Sequence, residues 1–267
     1  MICEKAKSIV RLMTCNIRTS TALDGEDHWE RRKVFCVSVI LGREPDVFGV
    51  QEAHEDQLAY MKASMPEFNT FGLPDEPGGR NAVDTIFFRT DRFDLVAQGG
   101  YWLSETPHVP GSSSWDSRCV RLANWVRLRD RESEVEFRFV NTHLDHVSQR
   151  AVVGQARTIN QDAAVYQPEY TQFLTGDMNA NADHPGIQAF LADGWIDTYQ
   201  SIHGELDPCN TYHKFGGDAR VGSGKIDWVF CRGNVKILGA EIIKDSENSR
   251  YPSDHYFISA DCEVVDC

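Results

Sequence analysis

The sequence predicts an α/β protein in which two β-sheets pack face to face and helices cover their outer surfaces. Strand-like apolar runs recur along the whole chain, amphipathic helical stretches are few, and no linker divides the sequence. With 267 residues the chain is long enough for one large domain with a substantial core. The Gly/Pro-rich piece over residues 73–79 lies between two apolar runs, as a long loop does. We therefore expect a single domain over residues 1–267.

Short apolar runs bounded by turn residues predict the strands. The run over residues 135–140 alternates apolar and polar side chains at period two, which is typical of a half-buried antiparallel strand. The predicted strands, in chain order, cover residues 8–15, 46–50, 85–89, 125–129, 135–142, 172–175, 226–231, 235–243 and 256–262.

Three amphipathic stretches predict helices. Residues 28–41 place apolar side chains on one helical face, and Gly42 follows as a terminating residue. Residues 55–65 form the second stretch, and residues 148–166 form the third, which opens with Ser148 as its N-cap. A few helices among many strands favour two stacked sheets with the helices outside.

The formal net charge is −13, so the surface repels polyanions at long range unless basic residues cluster locally. This weighs against a non-specific nucleic-acid binder, although a bound divalent metal offsets part of the local negative charge. The eight cysteines are scattered without a CxxC pair. The first residues lack the apolar stretch of a signal peptide, and no segment is long enough to span a bilayer. We expect a cytoplasmic protein with reduced thiols and no membrane partner.

Polar and ionisable residues cluster at the ends of the predicted strands. A Gly-Asp-x-Asn sequence over residues 176–179 follows one apolar run, and an Asp-His pair at residues 254–255 precedes another. Carboxylates, amides and imidazoles delivered to one end of a sheet can hold a hard cation and move protons around a phosphate. The candidates, in chain order, are Asn16, Glu52, His143, Asp177, Asn179, Asp227, Asp254 and His255.

These residues stand in six short motifs: MTCNIR (13–18), GVQE (49–52), NTHLD (141–145), GDMN (176–179), KIDWVF (225–230) and SDH (253–255). In this order the motifs resemble those of the endonuclease/exonuclease/phosphatase superfamily, which contains DNase I, exonuclease III, neutral sphingomyelinases, inositol-phosphate 5-phosphatases and deadenylases. Any single motif is common, whereas the ordered set is highly specific and spans most of the chain. The resemblance implies a DNase I-like, four-layer αββα sandwich of two mostly antiparallel sheets, with the site at one end of both.

Four further segments resemble a subgroup of small bacterial-type phosphoesterases that includes sugar-phosphate phosphatases. They are WLSETP (102–107), SWD (114–116), RLANW (121–125) and TYH (211–213). Arg121 is suited to clamp a phosphate, Trp115 to stack on a sugar or base, and His213 to contact substrate from a loop. The alternatives are a solvated arginine and two rings that simply pack. With Arg18, these three residues are the candidate substrate-binding set.

The side chains also suggest a metal site. Glu52 offers a hard oxygen ligand, and Asn16 and Asp254 can add oxygens, a set that suits Mg²⁺ or Mn²⁺ better than zinc. The sequence leaves open whether one metal or two are bound.

The remaining candidates are suited to proton transfer and phosphate binding. Asp177 and Asn179 can orient the attacking water and the phosphate. The family pairs the final histidine with an aspartate at the position of Asp227, so the resemblance implies that His255 is held in one tautomer and kept basic. His143 is the second imidazole, a donor to a phosphate oxygen or to the leaving group. Either Asp177 or His255 can take the proton of the water.

Two positions depart from the family pattern. Many relatives carry a glutamate that supports the first histidine where this chain has Ala82. Asp84 lies two residues on, hence on the same face if the strand has begun, and is a candidate substitute. Some nucleases carry an acid where this chain has Arg18, which can bind substrate phosphate but removes a possible metal ligand.

We therefore expect a Mg²⁺- or Mn²⁺-dependent phosphoesterase that hydrolyses a small phosphorylated molecule, a sugar phosphate or small phosphodiester, by in-line attack of water. The alternative is a metal-dependent DNA or RNA nuclease, which needs a basic groove. The sequence offers only scattered candidates for one, such as residues 31–33, which we expect on the solvated face of a helix. A catalytically degenerate binding module is the third hypothesis. No obligate protein partner is implied.

Overall fold

The computed structural model describes residues 6–79, 83–204, 210–219, 222 and 224–265. Its helices are α1 (Trp29–Leu41), α2 (Glu55–Ser64), α3 (Gln149–Ala163), α4 (Pro185–Ala192) and α5 (Thr198–His203), with 3₁₀ turns at Gly25–Asp27 and Gly217–Ala219. Its strands are β1 (Lys7–Asn16), β2 (Val47–Gln51), β3 (Phe68–Phe71), β4 (Ile86–Arg89), β5 (Phe93–Trp102), β6 (Leu122–Asp130), β7 (Glu136–His143), β8 (Gln172–Asp177), β9 (Ile196–Asp197), β10 (Asp227–Arg232), β11 (Val235–Ile243) and β12 (Phe257–Val265).

The strands form two sheets of six strands each. Sheet one has the order β11-β12-β1-β2-β4-β3, and sheet two has the order β5-β6-β7-β8-β10-β9. β1 runs parallel to β2 in sheet one, and β7 runs parallel to β8 in sheet two. The other pairings are antiparallel. The predicted fold class, two stacked and mostly antiparallel sheets with outer helices, is confirmed.

Three apolar layers hold the sandwich together. Alternation along β1 sends Leu12 into the layer between the sheets and Met13 into the layer beneath α1 and α2. In the central layer Phe137 packs edge to face against Phe93 and Phe173, with ring centroids 5.5 and 5.6 Å apart. The third layer lies between sheet two and helices α3 and α4. Burial of each large apolar side chain contributes about 1.5–3 kcal/mol, so these layers supply most of the stabilisation.

The predicted strands and helices are all present, with ends displaced by a few residues. Ser148 caps α3 as predicted, because its Oγ accepts a hydrogen bond from the backbone N–H of Ala151 at 3.1 Å. Sequence reasoning missed β3, β5, β9, α4 and α5. β5 lies at the edge of sheet two and contains Gly99 and Gly100, which weaken a strand pattern. Gly99 is required there, since a Cβ would fall 2.7 Å from the Trp125 ring.

A buried polar network joins the sheets directly behind the candidate site. Asn141 of β7 accepts hydrogen bonds from Gln51 Nε2 at 2.6 Å and from Thr175 Oγ1 at 3.1 Å, and it donates to the carbonyl of Val50 at 3.2 Å. Gly49 permits this approach, since a Cβ would lie 2.1 Å from Asn141 Oδ1. The network therefore sets the end of β2 against the ends of β7 and β8.

Within the described ranges, no helix is long and apolar enough to cross a membrane. The thiols of Cys15, Cys36, Cys231 and Cys262 are free and buried, whereas that of Cys119 is free and exposed.

Candidate active site

The candidate residues gather at one end of the sandwich, in or beneath a cleft of about 560 Å³. The parallel pairs β1/β2 and β7/β8 end here, and the antiparallel strands β10 and β12 begin here. Strand pairing thus brings together side chains that are far apart in the sequence. Asn16 ends β1, Glu52 follows β2, His143 ends β7, Asp177 ends β8, Asp227 begins β10, and Asp254 and His255 precede β12.

Asp177 stands at the centre of this group. Its Oδ2 accepts a hydrogen bond from Asn16 Nδ2 at 3.0 Å and lies 3.4 Å from His143 Nε2 and 3.8 Å from His255 Nε2. Its Oδ1 accepts from the backbone N–H of Asn179 at 2.9 Å. Burial raises the pKa of the Asp177 carboxyl to about 7. The carboxyl can therefore exchange a proton near neutral pH.

His255 forms a buried pair with Asp227. His255 Nδ1 lies 2.9 Å from Asp227 Oδ2, which leaves Nε2 to face Asp177. Burial disfavours the imidazolium, but the charge of Asp227 and this hydrogen bond outweigh it, so the pKa of His255 is raised well above its usual value. Thr211 Oγ1 fixes the start of β10 by accepting from the backbone N–H groups of Ile226 and Asp227 at 2.9 and 3.2 Å.

His143 lies on the other side of Asp177 and carries the opposite charge preference. Asn179 Nδ2 lies 2.9 Å from His143 Nε2 and donates to the carbonyl of Leu144 at 3.0 Å. Burial lowers the pKa of His143 well below its usual value, and the positive charge of Arg121 lowers it further. His143 is therefore a neutral hydrogen-bonding group.

Two carboxyl groups beside Asp177 fit a hard divalent cation. Arg18 lies 3.9 Å from Glu52 and 3.7 Å from Asp254, which shows that both carboxyls face one shared region. Burial raises the pKa of Asp254, so its carboxylate gains from added positive charge. Asn16 Nδ2 donates to Glu52 Oε1 at 3.2 Å, so the amide nitrogen faces this region. Its predicted role as an oxygen ligand requires the amide to be turned over.

A second group can also approach a cation. Asp177, Asp227 and His255 each place one ligand atom within 4.8 Å of the others. The imidazole and one carboxylate of this group are already joined by the 2.9 Å contact, which suits proton transfer better than metal binding. The Glu52 and Asp254 side is therefore the candidate cation site.

Arg18 is held over the carboxyls by a carboxylate of its own loop. Its Nε and Nη2 donate to the two oxygens of Asp24 at 3.0 and 3.1 Å, and this pairing raises the pKa of Arg18. Arg18, Glu52 and Asn179 all adopt positive φ angles, of 56°, 61° and 48°. Such backbone strain concentrates at functional sites, where surrounding contacts enforce it.

The loops that carry the oxygen groups are tied together by Arg32 of α1. Its guanidinium donates to the backbone carbonyls of Ile17, Arg18 and Pro252 at 2.7, 2.8 and 2.9 Å, and to that of Asp27 at 2.9 Å. The prediction that this part of the helix is a solvated face is wrong for Arg32, which is 4% exposed. The acceptors are backbone atoms, so the sequence pattern carried no sign of them.

The cleft wall beyond His143 contains Asp84, Arg121 and His146. Arg121 Nη2 lies 3.3 Å from His146 Nδ1, and Arg121 Nε is buried without a partner in the described part of the chain. Burial raises the pKa of Asp84 to about 8, although the charge of Arg121 opposes the rise.

The predicted support of His143 by Asp84 is not observed. Asp84 has φ 48° and precedes β4, so the strand has not begun at this position. No hydrogen bond joins Asp84 to His143 among the described contacts. Ala82, the other residue of that comparison, lies outside the described residues.

Of the predicted substrate-binding residues, Arg18 and Arg121 line the cleft, whereas Trp115 is not among its lining residues. The Trp115 indole packs on Gly154 of α3, where a Cβ would fall 2.4 Å from the ring. Trp115 therefore fixes its loop against the helix, and its predicted contact with substrate is wrong in placement.

His213 is also misplaced by the prediction. It is fully buried, packs against Tyr251 and Tyr256 with ring centroids 4.6 and 4.1 Å away, and its burial lowers its pKa to about 4. Its neighbour Tyr212, which sequence reasoning missed, lines the cleft with its ring 4.9 Å from that of His255. The alternation of side chains was the available signal, because consecutive residues of an extended segment face opposite sides, so that only one of Tyr212 and His213 can face the cleft.

Comparison with known proteins identifies the group to which this site belongs. The sequence profile described as the endonuclease/exonuclease/phosphatase family matches residues 13–255, from the motif of Asn16 to His255. The chain belongs to this family. Because its members act on phosphoric esters, the protein is a hydrolase of phosphoric ester bonds.

Similar proteins cover almost the whole chain. The endonuclease/exonuclease/phosphatase from Bacteroides vulgatus is 28% identical, with 96% of this chain and 99% of that chain covered and a TM-score of 0.87. A mannosyl-6-phosphatase of Bacteroides thetaiotaomicron is 26% identical, with 95% and 99% covered and a TM-score of 0.84. Nocturnin of Drosophila melanogaster is 25% identical over 96% of this chain, and the chain spans 47% of the length of that relative.

Proposed function

We propose that this protein is a phosphatase that acts on a small phosphorylated molecule with the help of Mg²⁺ or Mn²⁺. The observation that carries the proposal is the convergence of Asn16, His143 and His255 on one carboxylate oxygen of Asp177. A sugar phosphate is the substrate class supported by the likeness to a mannosyl-6-phosphatase.

In this proposal Glu52 and Asp254 hold the cation, and Asn16 orients the Glu52 carboxylate. A bound cation polarises a phosphoryl oxygen and offsets charge that develops in the transition state. Arg18, 3.9 and 3.7 Å from the two carboxylates, adds a fixed positive charge for the phosphate dianion.

Asp177 is the base that these protonation states favour. Asp227 keeps His255 as a cation, whereas the Asp177 carboxyl has a pKa of about 7 and can accept a proton. The water oxygen forms its bond to phosphorus as the bond from phosphorus to the leaving oxygen breaks, and the water's proton passes to Asp177. The leaving oxygen takes up a proton from solvent in the cleft and departs as the alcohol. Neutral His143 and Asn179 bind the phosphoryl and leaving oxygens, so both need only hydrogen-bond.

A small substrate is favoured over a polynucleotide by charge. The net charge is −13, and the cleft is lined by acids such as Asp75, Asp84 and Glu52 beside its two arginines. A long polyanion gains little from such a surface.

The test is a screen of the purified protein with added Mg²⁺ or Mn²⁺ against sugar phosphates, nucleotides, cyclic phosphates and oligonucleotides. We expect metal-dependent release of phosphate from sugar phosphates, loss of turnover with a chelator, and loss of turnover in Asp177→Asn. Inertness of the metal-loaded protein towards the small esters would refute the proposal. Cleavage of oligonucleotides with a steep dependence on salt would identify a nuclease instead.

A further inference from the structure

One wall of the cleft is not used by the hydrolysis itself. Asp84 lines the cleft and is 4% exposed, yet no hydrogen bond reaches its carboxylate from the residues that the structure describes. Arg121, on the same wall, has a buried Nε without a partner in those ranges, and its Nη2 faces His146 Nδ1 at 3.3 Å. A buried polar group left without a partner costs about 1–3 kcal/mol, so such groups are normally met by a ligand.

The wall continues the site on the side of His143. Arg121, Asp84 and His143 line the same cleft. The charge of Arg121 also lowers the pKa of His143 and opposes the rise in the pKa of Asp84. Since His143 faces the leaving oxygen in the proposed reaction, the leaving alcohol extends towards Arg121 and Asp84.

The chemistry of this wall selects among leaving groups. Arginine offers only donors, whereas a carboxylate offers acceptors, and two adjacent hydroxyls can accept from the one and donate to the other. A second phosphate on this wall is repelled by the carboxylate of Asp75.

We propose that Asp84 and Arg121 form a recognition site for adjacent hydroxyl groups of the leaving alcohol. The substrate is accordingly a phosphate monoester of a sugar or other polyol. This inference rests on the proposed function, since it needs a phosphatase, but it assigns the specificity to a wall that takes no part in breaking the phosphorus–oxygen bond.

The experiment measures kcat/KM for a hexose 6-phosphate, its 3-deoxy and 4-deoxy analogues, and phenyl phosphate. The proteins are wild type, Asp84→Asn and Asp84→Ala, with Asp116→Asn as the control. Asp116 has a side chain that is 88% exposed, so the control makes the same substitution of an aspartate at an exposed position. Thermal melting reports whether each variant folds.

We expect Asp84→Ala to lower kcat/KM for the hexose phosphate about 100-fold, as loss of a hydrogen bond to a charged group does, with less than about a threefold change for phenyl phosphate. Asp84→Asn should retain part of the preference. The penalty should shrink with the deoxy analogue that lacks the contacted hydroxyl.

Equal losses on all substrates would overturn the inference, because Asp84 would then act through His143 or the fold. Unchanged kinetics would overturn it as well. A wild type active on phenyl phosphate without preference for the polyol ester would defeat this inference alone, whereas inactivity on every phosphoester would defeat the proposed function with it.

Discussion

The two sheets bring different kinds of charge to the cleft. Sheet one ends in Glu52 and Asp254, whose carboxylates face Arg18, a side chain that is 32% exposed. In sheet two a buried ion pair lies beside the start of β10, where Lys225 Nζ is 2.9 Å from Asp197 Oδ2. The site carboxylates of this sheet, Asp177 and Asp227, face His255, which lies just before β12 of sheet one, and Asp227 Oδ1 is buried without a partner in the described ranges. In the proposed function the carboxylates at the sheet-one end, Glu52 and Asp254, hold the cation, whereas those of sheet two act in proton transfer together with His255.

Substitution of Asp177 is expected to have the largest effect, and it tests whether metal binding and proton transfer are divided between the two sheets. Asp177→Asn keeps the shape but removes the proton acceptor, so we expect kcat to fall about 10³-fold or more. The dissociation constant for Mn²⁺, measured by the electron paramagnetic resonance of free Mn²⁺, should change little. A large loss of metal affinity would show that the two functions are not divided between the sheets.

The buried pair of Lys225 and Asp197 in sheet two predicts that the free energy of unfolding depends on pH. Burial lowers the pKa of Lys225 from 10.5 to about 8, so between these pH values the unfolded chain binds more protons and stability rises with pH. The full shift corresponds to about 3 kcal/mol.

Urea unfolding at pH 7.5 and 10.5 measures this effect against the double variant Lys225→Met/Asp197→Asn, which lacks the pair. The wild type should gain stability relative to the double variant as the pH rises. A constant difference between the two proteins would mean that the pKa of Lys225 is the same in the folded and the unfolded chain.

Some features of the fold and of the candidate site could be predicted from the sequence, and others could not. Most of the strands and the six motifs were readable, because polar residues at strand ends stand out against apolar runs. Arg32 was not, since its partners are backbone carbonyls and leave no mark in the sequence. Tyr212 lines the cleft in place of the predicted His213, because neighbouring residues of a short extended segment face opposite sides. Composition does not determine which of the two faces the cleft. Asp84 was singled out by its position in the sequence, but its predicted support of His143 is not observed, and its place in the cleft beside Arg121 depends on residues far apart in the sequence.

Substitution of Glu52 tests whether the carboxylates at the sheet-one end of the cleft bind the cation. Glu52→Gln keeps the size of the side chain but removes the negative charge, and we expect the Mn²⁺ dissociation constant to rise about 100-fold. Turnover should return in part at high metal concentration. His143→Ala, on sheet two, is the matched variant and should retain Mn²⁺ binding while losing turnover. Equal loss of metal binding in both would remove the distinction between the sheets.

The smallest effect on Mn²⁺ binding is expected from substitution of Arg32, which ties together the loops on the proposed cation-binding side of the cleft. Arg32 and Arg138 are both buried arginines, 4% and 1% exposed, but Arg32 ties the loops of the cleft, whereas Arg138 contacts Gln172 and Asp162 away from it. Lysine cannot reproduce the forked donor geometry, so Arg32→Lys and Arg138→Lys should both lower the melting temperature. Only Arg32→Lys should weaken Mn²⁺ binding, by about tenfold, because outer residues of this kind orient the ligands. If Arg138→Lys weakens binding equally, the loss reflects general loosening of the fold. If Arg32→Lys leaves it unchanged, the carbonyl contacts stabilise α1 without positioning the cleft.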